Sequence, residues 1–308
     1  RFSSQPENLK YLQFVADKFD LRKHMQFNCE VAVAQYNEPD SNWALKLRDG
    51  RTLTCRFVIM ALGLLSAPTL PRIDGVDRFK GEAFHTFHWP QQPVVMAGKR
   101  VGIIGTGATA IQAIPEIAKE AGHLTVFQRR PIWCAPLNNS LISEAEMADI
   151  RTRYDEIFAT CARTPGGFEH EPDRRGFYEV SREERLALWD RLYDEPGFGI
   201  WLQNFREIFT EEEANAEISE YIANRIRQRV DDPEVAEKLI PKDHGFGVQR
   251  VPLETRYLEA YNQDNVSLVD INEQPISHIT ETGIQSAEQH YDLDVIIYAT
   301  GFDAMTGS

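Results

Sequence analysis

One glycine-rich turn constrains the fold of this chain more than any other feature. The segment VGIIGTGATAIQ, residues 101–112, carries an apolar strand pattern, a turn with Gly105-x-Gly107-x-x-Ala110, and then a helical pattern. A second apolar run, LTVFQ at 124–128, follows the helix. Strand, turn, helix and strand in this order form a βαβ unit, whose two strands lie parallel in one sheet. We therefore predict an α/β fold.

The spacing of small residues in this turn is the one that phosphate binding requires. Gly105 permits a tight turn, Gly107 lets the backbone approach a pyrophosphate, and Ala110 lets the helix pack closely on the strand. The first N–H groups of the helix have no partner within it and can face the phosphate. We predict that a dinucleotide binds this loop, which consists of Gly105, Thr106, Gly107, Ala108, Thr109 and Ala110. The alternative is a glycine turn with a purely structural role.

The end of the next strand indicates which dinucleotide is preferred. A cofactor without a 2′-phosphate is usually held through its ribose by Asp or Glu about 20 residues after the glycines. Here the strand ends in Gln128, Arg129 and Arg130, and no carboxylate is present. Guanidinium groups match a phosphate dianion, so NADP is predicted rather than NAD. The alternative is that one of the two arginines is only a solvated charge.

A short internal sequence repeat predicts a second dinucleotide-binding domain. GRTLTCRFVIMALG, residues 50–63, and AEQHYDLDVIIYATG, residues 287–301, each run from a polar strand into a buried strand closed by Ala-x-Gly. Two related closures indicate that one such domain is inserted in another, and coincidence between two buried strands is the alternative. Because only one glycine fingerprint is present, we expect the other before residue 1, in a chain truncated at both ends.

Composition excludes several classes of partner. The formal net charge of −14 disfavours binding to nucleic acid or to an anionic membrane surface. No apolar run approaches the roughly 18 residues of a transmembrane helix, and no secretory signal is visible, so a cytoplasmic protein is expected. The four cysteines lack C-x-x-C or metal-ligand spacing, so neither a metal site nor a redox disulfide is predicted.

A second motif lies before the glycine turn. FKGEAFHTFHWP, residues 79–90, resembles at every specified position the F-x-G-x-x-x-H-x-x-x-W-P fingerprint of the Baeyer–Villiger monooxygenases. The resemblance extends through LSAPTLP, FQRRP, DPEVAEKLIPK and YATGFDAMTG to the phenylacetone- and cyclohexanone-monooxygenase group. Related flavin monooxygenases that hydroxylate nitrogen are similar but lack the Trp-Pro ending. The fingerprint residues are Phe79, Gly81, His85, Trp89 and Pro90.

The resemblance implies a two-domain flavoprotein that uses NADPH and FAD, through a flavin peroxide, to insert one oxygen atom of O2 into a ketone. The product is an ester or a lactone, and the implied partners are a small ketone and O2. The family's fingerprint lies in the connection between the FAD and NADP domains. We expect His85 to be a hydrogen-bonded structural residue in that linker, with direct catalysis as the alternative, and Trp89 to be a packing anchor.

The resemblance also assigns site residues. It places the catalytic arginine at Arg250 in HGFGVQR, where a fixed positive charge suits a developing peroxyanion. Relatives commonly have lysine where this chain has Gln249, so Arg130 is expected to compensate in holding the 2′-phosphate. The remaining implied cofactor contacts are Leu65, Ala299, Thr300 and Gly301.

These arguments predict a Rossmann-like NADP domain that carries a helical insertion, together with part of an FAD domain. An N- or S-oxygenating flavin monooxygenase and an inactive NADP-binding fragment stay open as alternatives. No oligomeric state is predicted. The expected segments are 1–67 for the partial FAD domain, 68–138 for the linker with the fingerprint and the first part of the NADP domain, 139–247 for a helical subdomain, 248–302 for the second part of the NADP domain, and 303–308 for the return to the FAD domain.

Overall fold

The structure, a computed structural model, describes residues 2–164 and 166–304. The chain divides into two compact units, a smaller one over Phe2–Ser66 and a larger one that begins at Ala67. Residue 1 of the first predicted segment and most of the predicted return segment, residues 305–308, lie outside the described residues. Among the described residues, no helix combines the length and the apolar character needed to cross a membrane.

The smaller unit consists of one helix and an antiparallel sheet. Its elements are α1 (Gln5–Lys18), a 3₁₀ turn (Leu21–His24), β1 (Val31–Asn37), β2 (Asn42–Leu47) and β3 (Thr52–Cys55). The sheet order is β1-β2-β3, and both pairings are antiparallel.

The predicted buried strand at 52–60 is only half right. The strand ends at Cys55, and Phe57, Ile59 and Met60 are 76%, 90% and 76% exposed. A buried strand needs a hydrogen-bonding neighbour on each side. In the part of the smaller unit that the structure describes, β3 pairs only with β2. Two buried strands followed by Ala-x-Gly were expected, in residues 50–63 and 287–301. Only the second segment contains such a strand.

The larger unit contains the remaining strands and helices. Its strands are β4 (Glu82–His85), β5 (Arg100–Ile104), β6 (His123–Gln128), β7 (Ala135–Pro136), β8 (Leu253–Glu254), β9 (Val266–Asp270), β10 (Ile276–Ile279), β11 (Gly283–Ser286), β12 (His290–Asp292) and β13 (Val295–Tyr298). Its helices are α2 (Ala108–Ala118), α3 (Glu144–Thr152), α4 (Tyr154–Arg163), α5 (Arg182–Asp194), α6 (Gly199–Leu202), α7 (Glu212–Arg229), α8 (Pro233–Leu239) and α9 (Tyr257–Ala260).

A five-stranded parallel sheet forms the centre of this unit, in the order β4-β13-β5-β6-β9. Val101 and Ile103 on β5 are fully buried, as expected for a strand covered on both faces. The glycine turn joins β5 to α2 and β6, so the predicted βαβ unit is confirmed. Because all five strands are parallel, their carboxyl ends meet at one edge of the sheet.

The fingerprint stretch was predicted to be a linker, but part of it belongs to the parallel sheet. Its residues Glu82–His85 form β4, which pairs in register with β13, so that His85 lies opposite Tyr298. The outer edge of β13 presents backbone groups that require partners. The fingerprint stretch supplies them, although a run of four residues gives little local strand signal.

The helical segment packs on one face of the sheet. Trp189, Ile218 and Ile222 belong to the same apolar core as Val101 and Ile103. Two of its helices begin at S-x-x-E capping boxes, in which Ser143 and Ser181 accept the amides three residues on. Antiparallel strands β10, β11 and β12 form a separate small sheet. Its Ile279 and Ile284 belong to a second core with Phe127 and Ile296.

Candidate dinucleotide-binding site

The carboxyl edge of the parallel sheet brings most of the predicted site residues together. From β5 the chain crosses to β6 and then to β9 on one side, whereas β13 lies on the other side of β5. Open α/β sheets bind ligands at the carboxyl edge where the strand order reverses in this way. Here that place lies between the turn after β5 and the Ala299–Gly301 segment after β13.

Gly105 is required by the backbone itself. Its φ is +107°, and a Cβ added there would lie 2.5 Å from the carbonyl oxygen of Ala299. The Gly105 amide donates to the Phe127 carbonyl at 2.9 Å, and the Ala299 amide donates to the Ile104 carbonyl at 2.9 Å. The turn is therefore fixed between β6 and β13. Its backbone conformation at Gly105 is one that residues with a Cβ rarely adopt.

Gly107 has a different environment. Its φ is −77°, which any residue adopts, and no atom lies within 4 Å of an added Cβ. The helix that follows begins at Ala108, and Ala110 is fully buried against the sheet. Open space in front of a helix N-terminus fits a phosphate group, which the first N–H groups of the helix can hold.

Thr106 is buried and joins the turn to the next strand end, because its hydroxyl donates to the carbonyl of Arg130 at 2.9 Å. Gln128 is 1% exposed, and its amide donates to the carbonyl of Lys238 at 2.7 Å. The side chain of Gln128 therefore holds the end of α8. Arg129 and Arg130 are exposed beside it.

A cleft of about 860 Å³ opens beside Arg130. Lys238 and Lys242 in this cleft are paired with Glu273 at 2.7 Å and Glu237 at 2.5 Å. Hydrogen bonds from Arg227 and Lys242 lower the pKa of Glu237 to about 2.

Arg130 has a longer ion pair than the two lysines of this cleft. Its side chain is 74% exposed and lies 4.0 Å from the Asp243 carboxylate. Asp270, the last residue of β9, and Asn272 just after it also line the cleft, and Asn272 donates to the carbonyl of Arg129 at 2.5 Å. Sequence reasoning missed both residues, because only the pairing of β6 with β9 brings them here.

The Ala299–Gly301 segment is anchored to the segment after Ser66. The Thr69 amide donates to the Gly301 carbonyl at 2.9 Å, and the Thr300 hydroxyl donates to the Thr69 carbonyl. Gly301 has φ +85° with no atom within 4 Å of an added Cβ. The backbone after β13 therefore borders open space, as the backbone at Gly107 does.

His85 lies at the carboxyl end of β4 and is 3% exposed. Its Nδ1 accepts the amide of Phe87 at 3.0 Å, and its ring packs edge-on against Phe302. Burial lowers the pKa of His85, and the Gly301 peptide partly opposes this shift. In the described residues Nε2 has no partner in hydrogen-bond geometry, so the expected hydrogen bonding is only half met. His85 is therefore a packed ring whose Nδ1 holds the backbone just after β4.

The other fingerprint side chains hold β4 in place. An added Cβ on Gly81 would lie 2.5 Å from the Phe79 ring and 2.6 Å from the Asp294 carbonyl oxygen. Trp89 is 38% exposed and packs edge-on against Phe84, with 4.9 Å between ring centroids. Pro90 follows it and is half-buried. Packing at both ends of β4 fits the predicted anchoring role, whereas a coupling of domain movements stays a prediction.

Gln249 and Arg250 are exposed on a loop of the larger unit. Within residues 2–164 and 166–304, the Arg250 side chain makes neither an ion pair nor a hydrogen bond. Leu65 belongs to the smaller unit and is 58% exposed. Their roles in binding and catalysis stay predictions.

Known proteins resemble this chain along its whole length. The flavin-binding monooxygenase-like family matches residues 1–144. The chain is 51% identical over 313 residues to the 2-oxo-Δ3-4,5,5-trimethylcyclopentenylacetyl-CoA monooxygenase of Pseudomonas putida, with 100% of this chain and 57% of the relative covered. It is 41% identical over 310 residues to the cyclohexanone 1,2-monooxygenase of Acinetobacter sp., with 100% and 56% covered. A phenazine N-monooxygenase of Lysobacter antibioticus is 36% identical over 310 residues, with 100% and 57% covered.

The fold is shared with a solved structure. A crystal structure of OTEMO in complex with FAD and NADP matches with a TM-score of 0.96 and 51% identity, over 99% of this chain and 59% of that chain. The chain therefore has part of a two-dinucleotide-binding-domain flavoprotein fold, as predicted. It spans a little more than half the length of the curated relatives it matches.

Proposed function

The chain is homologous over its whole length to Baeyer–Villiger monooxygenases, and from this premise we propose that the protein oxidises a ketone to an ester or lactone. One oxygen atom of O2 enters the product, and NADPH supplies the electrons. The observation that carries the proposal is the turn after β5, where Gly107 and the start of α2 face open space.

The residues of the larger unit fit NADP. The pyrophosphate would lie against Gly107 and the first N–H groups of α2. Arg129 and Arg130 would hold the 2′-phosphate, since guanidinium groups bind phosphate oxygens in pairs, with Gln249 as a neutral neighbour. The Ala299–Gly301 backbone would border the cofactor, and a cofactor contact of Leu65 stays a prediction.

FAD is the second cofactor of the proposal, since OTEMO was crystallised with FAD and NADP. When bound, the flavin would supply the redox chemistry that activates O2. We propose that residues 1–67 and 303–308 belong to the FAD domain. The NADP domain would then comprise 68–138 and 248–302, with the helical segment 139–247 between them. A cytoplasmic location stays a prediction from the sequence.

Arg250 would serve as the catalytic residue. Arginine suits such a role better than lysine, because an ammonium group loses its proton more readily on desolvation than a guanidinium group does. A fixed positive charge stabilises negative charge that develops on oxygen during the reaction, and removing such a group typically costs about 10²–10³-fold in rate. In the described part of the chain Arg250 has no carboxylate partner that would neutralise this charge.

The experiment that tests the function uses the full-length protein with FAD, NADPH and O2. A panel of small ketones is supplied, and the products are identified by gas chromatography and mass spectrometry. We expect esters or lactones from the wild type and a loss of about 100-fold or more in Arg250→Ala. Arg206→Ala is the matched control, because Arg206 is also exposed. An Arg250→Ala variant with the wild-type rate would contradict the catalytic assignment.

One alternative has a specific observation in its favour. The similarity to the phenazine N-monooxygenase supports oxidation at nitrogen, although Trp89-Pro90 favours the Baeyer–Villiger group. An aromatic N-heterocycle and an amine are therefore included in the same panel, with formation of the N-oxide as the readout. A wild-type protein that oxidises neither class, but still binds NADP, would indicate an NADP-binding protein without oxygenase activity.

A further inference from the structure

The loop that carries Arg250 is exposed at its tip and buried at both ends. We call residues 244–252 the arginine loop. Within it Phe246 and Val251 are fully buried, whereas Val248 is 65% exposed, and Gln249 and Arg250 are exposed with it. The position of the tip therefore depends on how firmly the two buried ends are held.

Helix α7 holds the first end. The Asn215 side-chain amide donates to the carbonyls of Phe246 at 2.9 Å and Ile208 at 2.7 Å. One turn further along α7, the Ser219 hydroxyl accepts the amide of Phe246 at 2.8 Å. Both peptide groups of Phe246 are thus satisfied by two side chains on one face of one helix. A Cβ on Gly245 would overlap the Asn215 amide oxygen, so the close approach requires glycine.

Two tryptophans support the same end from other directions. The Trp133 indole donates to the carbonyl of His244 at 2.9 Å, and its ring packs edge-on against Phe246. Gly247 has φ +79°, and an added Cβ would lie 3.0 Å from the Trp201 indole nitrogen. The chain therefore leaves the buried end in a fixed direction.

The same helix also holds the chain just after the loop. Arg229, the last residue of α7, bonds to Glu254 on β8 at 2.8 Å and to both carboxylate oxygens of Glu259 at 2.6 and 2.9 Å. Glu254 is 2% exposed. Asn215 and Arg229 are about 20 Å apart along the helix axis, at about 1.5 Å per residue. One rigid element thus spans both ends of the arginine loop.

We propose that α7 is the frame that positions Arg250, with Asn215 and Ser219 as positioning residues that act through the backbone of Phe246. This inference rests on the proposed function, in which Arg250 carries the catalytic charge. Among the described residues, the one backbone hydrogen bond of the segment between Gly245 and Arg250 is long, from the Val248 amide to the Gly245 carbonyl at 3.4 Å. Without the hydrogen bonds from Asn215 and Ser219 to the backbone of Phe246, the tip of the loop becomes mobile. The Arg250 side chain then samples many orientations.

The test compares Asn215→Ala and Ser219→Ala with Asn224→Ala in the full-length protein. Asn224 is exposed on the same helix, so its replacement controls for changes in helix propensity. Three quantities are measured: hydrogen exchange of the peptide covering 245–250, kcat with a ketone, and KM for the ketone and for NADPH. We expect exchange about fivefold faster, since one hydrogen bond contributes on the order of 1 kcal/mol. We also expect kcat at least about fivefold lower with an unchanged KM for NADPH, and wild-type values for Asn224→Ala.

Further variants keep the inference falsifiable. Ser219→Thr retains the hydroxyl and is expected to restore both kcat and slow exchange, which a general loss of packing would not do. If Asn215→Ala does not fold, Ser219→Ala decides. Unchanged exchange, or faster exchange with unchanged kcat, overturns the inference while the proposed function stands. A wild type that oxidises no ketone overturns the proposed function, and the inference about Arg250 with it, whereas the exchange data still report whether α7 holds the loop.

Discussion

Replacing each of the two glycines of the turn after β5 by alanine should have opposite effects. Gly105→Ala should mainly reduce stability, whereas Gly107→Ala should mainly weaken NADP binding. At Gly105 the side chain would have to adopt φ +107° and would meet the Ala299 carbonyl oxygen at 2.5 Å, a contact that must lengthen to at least 3.0 Å. Holding a residue with a Cβ in such a conformation costs about 1–3 kcal/mol. Overpacking costs roughly 1–3 kcal/mol more. We therefore expect Gly105→Ala to lower the free energy of unfolding by about 2–6 kcal/mol.

Gly107→Ala is the matched comparison. The φ of −77° suits alanine, and the added Cβ meets no protein atom within 4 Å. The free energy of unfolding should stay the same or rise by up to about 1 kcal/mol, because alanine restricts the unfolded chain. The same methyl group would, however, occupy the space that the pyrophosphate needs. Losing one backbone hydrogen bond to a charged phosphate costs about 1.5–3 kcal/mol, and the Kd for NADP should therefore rise by roughly 10- to 150-fold.

Two measurements check this pair. Urea unfolding without cofactor, followed by circular dichroism, gives the free energy of unfolding, and isothermal titration calorimetry with NADP gives the Kd. The reasoning is refuted if both variants lose the same unfolding free energy. It is equally refuted if Gly107→Ala keeps the wild-type affinity for NADP, because the open space at Gly107 would then have no part in binding.

Two further predictions follow from charged groups. If Arg130 compensates for Gln249, Arg130→Ala should lower the preference for NADPH over NADH by about tenfold or more, measured as the ratio of kcat/KM values, and a variant with its full preference rules the compensation out. Hydrogen bonds from Arg100 lower the pKa of Asp294 to about 2, and the ionised carboxylate therefore stabilises the fold above the unfolded pKa of about 4, an effect lost as the pH falls towards 2. Asp294→Asn should flatten that part of the stability profile, and urea unfolding at pH 5 and pH 3 is the check.

The sequence by itself determined the βαβ unit and the chemistry of its turn. Gly105 needs a backbone conformation that few other residues adopt, and Ala110 must fit between helix and strand, so the motif itself carries these requirements. The buried face of α7, with Ala214, Ile218, Ile222 and Ile226, likewise has the local spacing of an amphipathic helix. Arg129 and Arg130 could be located at the carboxyl edge of the sheet because they directly follow the strand after the motif, and their role in holding a 2′-phosphate stays a prediction.

Only the tertiary structure decided which segments pair and which backbone groups are held. Glu82–His85 became a strand because β13, more than 200 residues later, offers a free edge. The apolar residues after Cys55 have no such partner among the described residues and stay exposed. In the same way, Asn215 gives no local sign that it binds the backbone beside Arg250. Hydrogen bonding between distant segments depends on which edges and loops come together, and no local pattern of side chains encodes that.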